Sequence, residues 1–484
     1  MLRVRTLLQQ HWPILALLTF FAILYSTAIG SYAMFMWDEA EYASLARSVA
    51  NGHGFAIGGV PKPLRPPMLP LAGAATMLLA REQFDDTVLR ATEIPFALLA
   101  LVCTYAFTTL AWDRTTGFIA AALLGVMPLF WISVPFFLSE VPFLGFFAAA
   151  FWFFHFGLYR DRRFFLWSWI ALALAMLTRY NAVLFLPLAL LVIPLAWWLG
   201  GPAARQRMFS RSFLLSPLAA LLVFLPWLIH QYVTFGDPLA GFQVASQQLR
   251  LYVPDVSMPW YFYFEHIAGF LSLPIAVLCL AGVAWAFWKR DFFALNNVMA
   301  AALILVWFSF YRYKEDRFIS EALPFLAVLA AVPLARMTLS LRSMPRFAIL
   351  AAVLAGLLLL NFRVAGRVFQ RAEVLGYPSF LDAMAFLRGH AGADEIVLGA
   401  NYPQISWYSG LRAYDFPKDE ASFPAALKGS NWVVITNFER GQRPYVSKLA
   451  EGMPADAALT TAFQDSRYFT ILIRSSRLLE MLRQ

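Results

Sequence analysis

The chain has 484 residues, of which 60% are hydrophobic and only 14% are charged, and its mean hydropathy is +0.62. A soluble domain is about a quarter charged and a little under half apolar, so this composition excludes a soluble enzyme and a disordered chain. The net charge of +9 could indicate an anionic partner, but its meaning depends on where the charges lie. We predict a polytopic, α-helical membrane protein.

Eleven stretches are apolar for about the 20 residues that a transmembrane helix needs. The stretch 66–80 is shorter and contains prolines, so we expect a helix in or near the membrane interface there. The first apolar run is long and lacks a small-residue cleavage site, which favours a retained span over a signal peptide. The predicted spans lie near 13–35, 90–111, 116–134, 141–159, 164–178, 180–199, 213–230, 267–288, 292–310, 322–339 and 347–363.

The basic residues are distributed unevenly between the two sets of loops. If the N-terminus is cytoplasmic, the inner loops carry 14 Lys or Arg against three Asp, whereas the outer loops before residue 365 carry 11 basic and 14 acidic residues. An excess of Lys and Arg marks cytoplasmic loops. We therefore expect a multi-pass protein of the bacterial inner (plasma) membrane with a cytoplasmic N-terminus. The net charge is then mainly a topology signal, and we expect membrane lipids but no nucleic acid as partners.

The sequence changes character at about residue 365. Short apolar runs at 396–398, 432–435 and 469–473 alternate with helix-like segments at 379–388 and 420–427. Strands that alternate with helices indicate a small α/β domain. We predict a membrane domain over 1–364 and an α/β domain over 365–484, which would be periplasmic after eleven spans.

Charged residues collect at the outer ends of the predicted spans, and none lies near the middle of a span, which argues against a proton-coupled transporter. In the first outer loop, about 36–89, Asp38 and Glu39 follow an apolar span, and Lys62 and Arg65 lie on a proline-fixed segment. A partly desolvated carboxylate is more basic and can accept a proton from an acceptor hydroxyl. Cations stabilise a departing phosphate. This combination suits glycosyl transfer from a lipid-linked phosphate donor.

Four further charged residues extend this candidate site. Glu140 precedes the fourth span, Arg179 lies between the fifth and sixth, and Lys314 and Arg317 precede the tenth. Asp38, Glu39 and Glu140 are the candidate catalytic carboxylates. We predict that the donor phosphate is bound by Lys62, Arg65, Arg179, Lys314 and Arg317.

The segments 37–47 (WDEAEYASLAR), 51–55 (NGHGF) and 62–69 (KPLRPPML) resemble the first outer loop of the protein-mannosyltransferase-like glycosyltransferases. These integral-membrane enzymes of the GT-C fold use polyprenyl-phosphate sugars and include the lipid A aminoarabinose transferase and rhizobial lipopolysaccharide sugar transferases. The segment 314–318 (KEDRF) resembles a Lys-Glu-x-Arg-aromatic element of related mannosyltransferases.

The resemblance implies that Asp38 is the catalytic carboxylate, that Arg65 is the basic residue before Pro-Pro, and that Glu140 is the second acid of the site. In the aminoarabinose transferases the residue before this basic position is an acid associated with metal binding, whereas here it is Leu64. The sequence also lacks a His/Cys cluster with ligand spacing. The support for a divalent cation is therefore weak, and the metal stays an open question.

Structural roles compete with these assignments. Asp38 and Glu39 could cap the helix that follows, and Glu140 could be a first-turn acid favoured by the helix dipole. Arg179 could anchor a span end, the charges at 314–317 could form surface ion pairs, and Glu41 is expected to face solvent.

The hypothesis is a membrane glycosyltransferase that moves a sugar from an undecaprenyl-phosphate-like donor to a lipid, glycan or protein acceptor at the periplasmic face. We expect Asp38 to be the general base of a direct displacement at the anomeric carbon, with inversion. An O-antigen ligase or polymerase would more naturally have a large outer loop between late spans. A flippase or transporter would place polar residues inside the spans.

Overall fold

The computed structural model describes residues 2–31, 34–251, 257–339, 343–374, 376–437, 443–451, 460–464 and 469–483. The chain divides into two compact units. We call the first, Met1–Gly30 with Pro63–Leu69 and Arg90–Phe369, the helical unit. We call the second, Ser31–Lys62 with Pro70–Leu89 and Gln370–Gln484, the mixed unit.

The helical unit consists of apolar α-helices with short connections, as expected where backbone polar groups need partners within the helix. Side-chain caps begin three of them: Asp113 accepts a hydrogen bond from Thr116 N at 2.8 Å, Ser210 accepts one from Phe213 N at 3.3 Å, and Asp291 accepts one from Ala294 N at 2.8 Å. The helices are Leu2–Ala28, Glu93–Ala111, Arg114–Val126, Pro128–Ser133, Glu140–Tyr159, Phe164–Met176, Phe185–Leu199, Gly201–Met208, Arg211–Leu215, Pro217–Phe235, Ala240–Leu251, Phe262–Leu271, Leu273–Lys289, Phe292–Ser309 and Leu323–Leu339. Short 3₁₀ segments, Ile29–Ser31, Tyr180–Leu184 and Asp316–Ala322, adjoin three of these helices, and Ser343–Val374 continues into the mixed unit.

Seven helices among the described residues are long and apolar enough to cross a membrane, which establishes a multi-span membrane protein. The pair Phe262–Leu271 and Leu273–Lys289, bent by 112°, raises the number to eight if it forms one span. Other predicted spans coincide with shorter apolar helices, Arg114–Val126, Phe164–Met176 and Ala348–Arg363, and the predicted interfacial segment is the helix Met68–Ala80. The number of eleven spans and the orientation remain predictions. The seven helices are His11–Ala28, Asp86–Ala111, Glu140–Tyr159, Tyr180–Leu199, Arg211–Phe235, Phe292–Ser309 and Asp316–Thr338.

The core of the helical unit is rich in aromatic side chains. The helix Glu140–Tyr159 is buried along nearly its whole length, and Phe325 packs between its Phe151 and Trp152, with ring centroids 5.3 and 5.8 Å away. One buried polar pair lies in this core, where Nε1 of Trp152 donates to Oδ1 of Asn297 at 3.1 Å. Helix association in lipid depends on such close packing and on small residues at the contact.

The mixed unit contains a five-stranded sheet in the order β4-β3-β5-β7-β6 and a separate hairpin, β1-β2. β3 pairs in parallel with β4 and β5, whereas β7 pairs antiparallel with β5 and β6. The strands are β1 Ala56–Ile57, β2 Val60–Pro61, β3 Ile396–Leu398, β4 Arg412–Tyr414, β5 Trp432–Thr436, β6 Thr460–Gln464 and β7 Phe469–Arg474. Helices or 3₁₀ segments of this unit are Trp37–Ala50, Pro378–His390, Tyr402–Ser409, Glu420–Ser422, Phe423–Lys428, Pro444–Glu451 and Ser475–Met481; Met68–Ala80 and Asp86–Arg90 contain residues of both units.

The apolar runs that were expected to be strands coincide with β3, β5 and β7, because each strand is largely buried and needs β-branched or aromatic residues there. The unit also includes residues 31–62 and 70–89, which the sequence division assigns to the membrane domain. The domain boundary at 364/365 and a periplasmic location remain predictions.

Gly282 offers a test of the helix packing. A Cβ added at Gly282 would overlap the backbone carbonyl oxygen of Leu329, in the neighbouring helix Leu323–Leu339. We expect Gly282→Ala to destabilise the protein by about 1–3 kcal/mol, the usual effect of overpacking, measured as a lower midpoint of thermal unfolding in detergent. Gly356, also helical but with nothing within 4 Å of its added Cβ, is the matched control. A midpoint for Gly282→Ala equal to that of Gly356→Ala would contradict this packing.

Candidate functional site

Two of the predicted cations meet a predicted acid in the helical unit. Glu140 lies in the first turn of the helix Glu140–Tyr159 and is 3% exposed. Its Oε1 lies 2.5 Å from Nη1 of Arg179 and 3.6 Å from Nη1 of Arg317. Arg179 precedes the 3₁₀ segment Tyr180–Leu184, and Arg317 lies in the 3₁₀ segment Asp316–Ala322. Three separate predicted loops therefore converge on one carboxylate.

A further acid, Glu321, belongs to this cluster and was missed in the sequence. Its side chain is 1% exposed, and its Oε1 lies 3.3 Å from Nδ2 of Asn181 and 3.9 Å from Nε of Arg179. Its Oε2 is buried and makes no hydrogen bond to the described residues. Two features of the sequence could have indicated it. Glu321 stands four positions after Arg317, at the start of an apolar run, and a separate loop carries the polar residues Arg179 and Asn181.

The cluster is electrostatically constrained. A buried charge is costly unless it is paired and hydrogen-bonded. Here Arg179 lies beside Glu140 and Glu321, and Arg317 lies beside Glu140 and Glu315. The side chains of Arg179 and Arg317 are 16% and 28% exposed, so neither is fully buried. Planar guanidiniums bind phosphate oxygens in a bidentate manner. The arrangement therefore presents two oriented cations that can bind an anion.

Arg65 lies in a segment that is attached to the loop of Arg179. Met68 N donates to the carbonyl of Leu177 at 2.9 Å, and the Tyr180 hydroxyl donates to the carbonyl of Pro63 at 3.4 Å. The proline-fixed segment Pro63–Leu69 is thus held at both ends beside residues 177–180, and Arg65 itself is half-buried.

Lys314 has a different environment. It is 3% exposed, and its ammonium donates to the carbonyls of Met258, at 3.0 Å, and Tyr311. Burial lowers the pKa of Lys314. The structure therefore uses this cation to satisfy backbone carbonyls.

The mixed unit contains the acidic segment of the first loop. The helix Trp37–Ala50 begins after Met36, with Asp38 half-buried in its first turn. Glu39 is fully buried, and its Oε2 accepts a hydrogen bond from Met36 N at 2.9 Å. Glu39 therefore caps the start of this helix. The expectation that Glu41 faces solvent was wrong, because it is 2% exposed.

Lys62 also lies in the mixed unit, among acidic and aromatic groups. Its Nζ is 3.3 Å from the Tyr402 hydroxyl and 4.6 Å from the centre of that ring. Burial lowers the pKa of Lys62, and the negative charges of Glu41 and Asp415 oppose this effect. Burial raises the pKa of Asp415, while Arg443 and Lys62 lower it. An anion at Lys62 would meet these two carboxylates as well as the cations of Lys62 and Arg443.

A tightly bound metal ion needs several imidazole, thiolate or carboxylate ligands close together. Across the described ranges, no group of three or more His, Cys, Asp or Glu side chains could hold one. Leu64 occupies the position of the acid associated with metal in the resembling enzymes. We therefore derive no step that passes through a metal.

Residues 64–230 match the family model described as dolichyl-phosphate-mannose-protein mannosyltransferase. This region includes Arg65, Glu140 and Arg179, whereas Asp38 precedes it. No curated protein matches the chain in sequence.

Solved structures of membrane glycosyltransferases are similar in fold. ArnT from Cupriavidus metallidurans bound to undecaprenyl phosphate is 15% identical, with a TM-score of 0.70 over 96% of this chain and 98% of that chain. The Archaeoglobus fulgidus oligosaccharyltransferase tethered with an acceptor peptide is 13% identical, with a TM-score of 0.57 over 89% of this chain and 70% of that chain. The oligosaccharyltransferase AglB from the same organism, in complex with an inhibitory peptide and a dolichol-phosphate, is 13% identical, with a TM-score of 0.54 over 88% and 69%.

The structural similarities confirm the predicted GT-C fold, and the match to the family model confirms the predicted enzyme class. The chain is a membrane glycosyltransferase of the GT-C fold, related to the protein mannosyltransferases through residues 64–230.

Proposed function

We propose that the enzyme transfers a sugar from a polyprenyl-phosphate donor to a hydroxyl group of a lipid, glycan or protein acceptor at the periplasmic face of the inner membrane. The observation that carries this proposal is the pair of partly exposed arginine side chains, Arg179 and Arg317, whose guanidiniums both lie beside the buried Glu140. The undecaprenyl phosphate bound to ArnT and the dolichol-phosphate bound to AglB support a donor of this chemical class.

The reaction we propose is a direct displacement. The acceptor hydroxyl oxygen attacks the anomeric carbon, and its proton passes to the carboxylate of Asp38. The bond between the anomeric carbon and the phosphate oxygen breaks, and the phosphate leaves with the electron pair as polyprenyl phosphate. Inversion at the anomeric carbon follows from a single displacement.

The phosphate is assigned to Arg65, Arg179 and Arg317. These cations stabilise the leaving phosphate, whose negative charge increases during the step. The contacts of Lys62 and Lys314 with other protein groups make them weaker candidates than the sequence suggested. Glu140 orients two guanidiniums, and Glu39 fixes the start of the helix that carries Asp38, so we propose positioning roles for both acids instead of catalytic ones.

We also propose that the chain crosses the membrane eleven times, with a cytoplasmic N-terminus and a periplasmic α/β domain. The prenyl chain of the donor would lie among membrane lipids, against the apolar surface of the helices.

The donor can be identified in cells. Deleting the gene should cause a polyprenyl-phosphate sugar to accumulate, because its consumption is blocked. Mass spectrometry of extracted lipids measures this pool, and expression of the wild-type chain should return it to the parental level. Unchanged lipid-linked sugars in the deletion strain, together with sugar movement across reconstituted vesicles, would favour a transporter.

Asp38→Asn tests the base. The substitution keeps size and hydrogen-bonding capacity but removes the proton acceptor, so we expect at least a 100-fold loss of transfer from the accumulated donor lipid, within the usual contribution of a general base. Binding of undecaprenyl phosphate, measured by thermal stabilisation, should stay within twofold. The matched control is Asp85→Asn, an exposed acid that caps Thr87 N at 2.7 Å and should retain full activity. Full transfer by Asp38→Asn would refute its assignment as the base.

The positioning role of Glu140 predicts energetic coupling with Arg179. A double-mutant cycle with Glu140→Gln and Arg179→Gln should give a coupling of at least about 1.5 kcal/mol in unfolding free energy, since breaking a buried pair costs about 3–5 kcal/mol. The exposed pair Arg474–Glu395, 2.7 Å apart, should give at most about 1 kcal/mol and lose this in high salt. Equal coupling in the two pairs would contradict a buried, oriented ion pair.

A further inference from the structure

In the mixed unit, the helix of Asp38 is attached to the C-terminal part of the chain. Arg47, near the end of the helix Trp37–Ala50, donates to the carbonyls of Ser406 and Trp407 at 2.7 and 3.0 Å. These carbonyls lie in the last turn of the helix Tyr402–Ser409, where unsatisfied carbonyls favour a cation. The Arg47 guanidinium also lies 4.6 and 4.8 Å from the rings of Phe84 and Trp407. One end of the Asp38 helix is thus anchored.

The other end is held through the hydroxyl of Tyr408. This hydroxyl accepts a hydrogen bond from Phe35 N at 2.6 Å and donates one to Oδ2 of Asp86. The other carboxylate oxygen of Asp86 accepts from Nε1 of Trp407 at 2.7 Å. A phenol can donate and accept at once, so Tyr408 links the backbone before the Asp38 helix to a carboxylate from another segment.

Three backbone groups in succession are satisfied here by side chains. Phe35 N binds Tyr408, the Phe35 carbonyl accepts from Nε2 of Gln404 at 3.5 Å, and Met36 N binds Glu39 at 2.9 Å. Phe35 is itself fully buried, with its ring 5.3 Å from that of Trp407. The position of Phe35, three residues before Asp38, is therefore set by residues 404–408 and by Asp86.

We propose that Tyr408 and Asp86 are positioning residues for the transfer step, and that the C-terminal part of the chain is needed to hold Asp38 in place. This inference rests on the proposed role of Asp38 as the base. A displacement of about 1 Å in a reacting group can lower a rate by about 100-fold. The C-terminal part then acts on the rate of transfer, in addition to any effect on the choice of acceptor.

Tyr408→Phe provides the test, because it removes the hydroxyl and keeps the ring that packs against Phe35 and Phe380. In full-length protein, we expect kcat with donor lipid purified from the deletion strain to fall at least tenfold, with the KM for donor within twofold. Hydrogen exchange of the amides in residues 34–40 should become at least tenfold faster. The matched control is Tyr414→Phe, whose hydroxyl donates to the Gly58 carbonyl at 3.3 Å in the same unit and which should leave kcat, KM and exchange at 34–40 unchanged.

A kcat within twofold of wild type for Tyr408→Phe would overturn the proposal, as would an equal loss in Tyr414→Phe. A fall in thermal stability and undecaprenyl phosphate binding that accounts for the lost activity would show a structural role alone and would also overturn it. Failure of the proposed function gives a different result: Asp38→Asn would retain transfer, whatever the exchange rates at residues 34–40.

Discussion

Charge can be buried in this apolar chain only when other charges and polar groups compensate it, and the Glu140–Arg179 pair is where this constraint is strongest. The carboxylate is 3% exposed and lies 2.5 Å from the guanidinium. Because desolvating either ion alone costs several kcal/mol, the loop of Arg179, the start of the helix at Glu140 and the loop of Arg317 must fold together. The same requirement that makes the helices pack correctly therefore also brings Arg179 and Arg317 together.

In the mixed unit, too, the buried charged side chains have hydrogen-bonding partners. Asp86 has hydrogen bonds from Trp407 and Tyr408, Glu39 has one from Met36 N, and Arg47 satisfies two carbonyls. Each of these partly or fully buried charges binds groups from another segment or from the backbone. Polar groups thereby specify which segments pair, whereas apolar contacts alone would tolerate several arrangements.

Local patterns predicted the elements well, because burial imposes hydrophobicity directly on the sequence. The apolar stretches became helices, and the runs at 396–398, 432–435 and 469–473 coincide with strands. The partners of charged residues were harder to predict. Glu321 was missed, Glu41 was expected to face solvent, and the carbonyl partners of Lys314 were not foreseen. Burial of a charge depends on chain segments more than 50 residues away, and one sequence carries little information on such pairings.

The acids around the two arginines also bear on catalysis. Glu140, Glu315 and Glu321 carry three formal negative charges against two positive charges on Arg179 and Arg317. These acids weaken the attraction of the guanidiniums for a donor phosphodiester, which has one negative charge. In the reaction that we propose, the leaving phosphate gains charge during transfer, so its interaction with the guanidiniums strengthens more than that of the bound donor. Interactions that are stronger in the transition state than in the ground state are those that raise kcat, and oriented arginines held by carboxylates meet this condition without tight binding of the substrate.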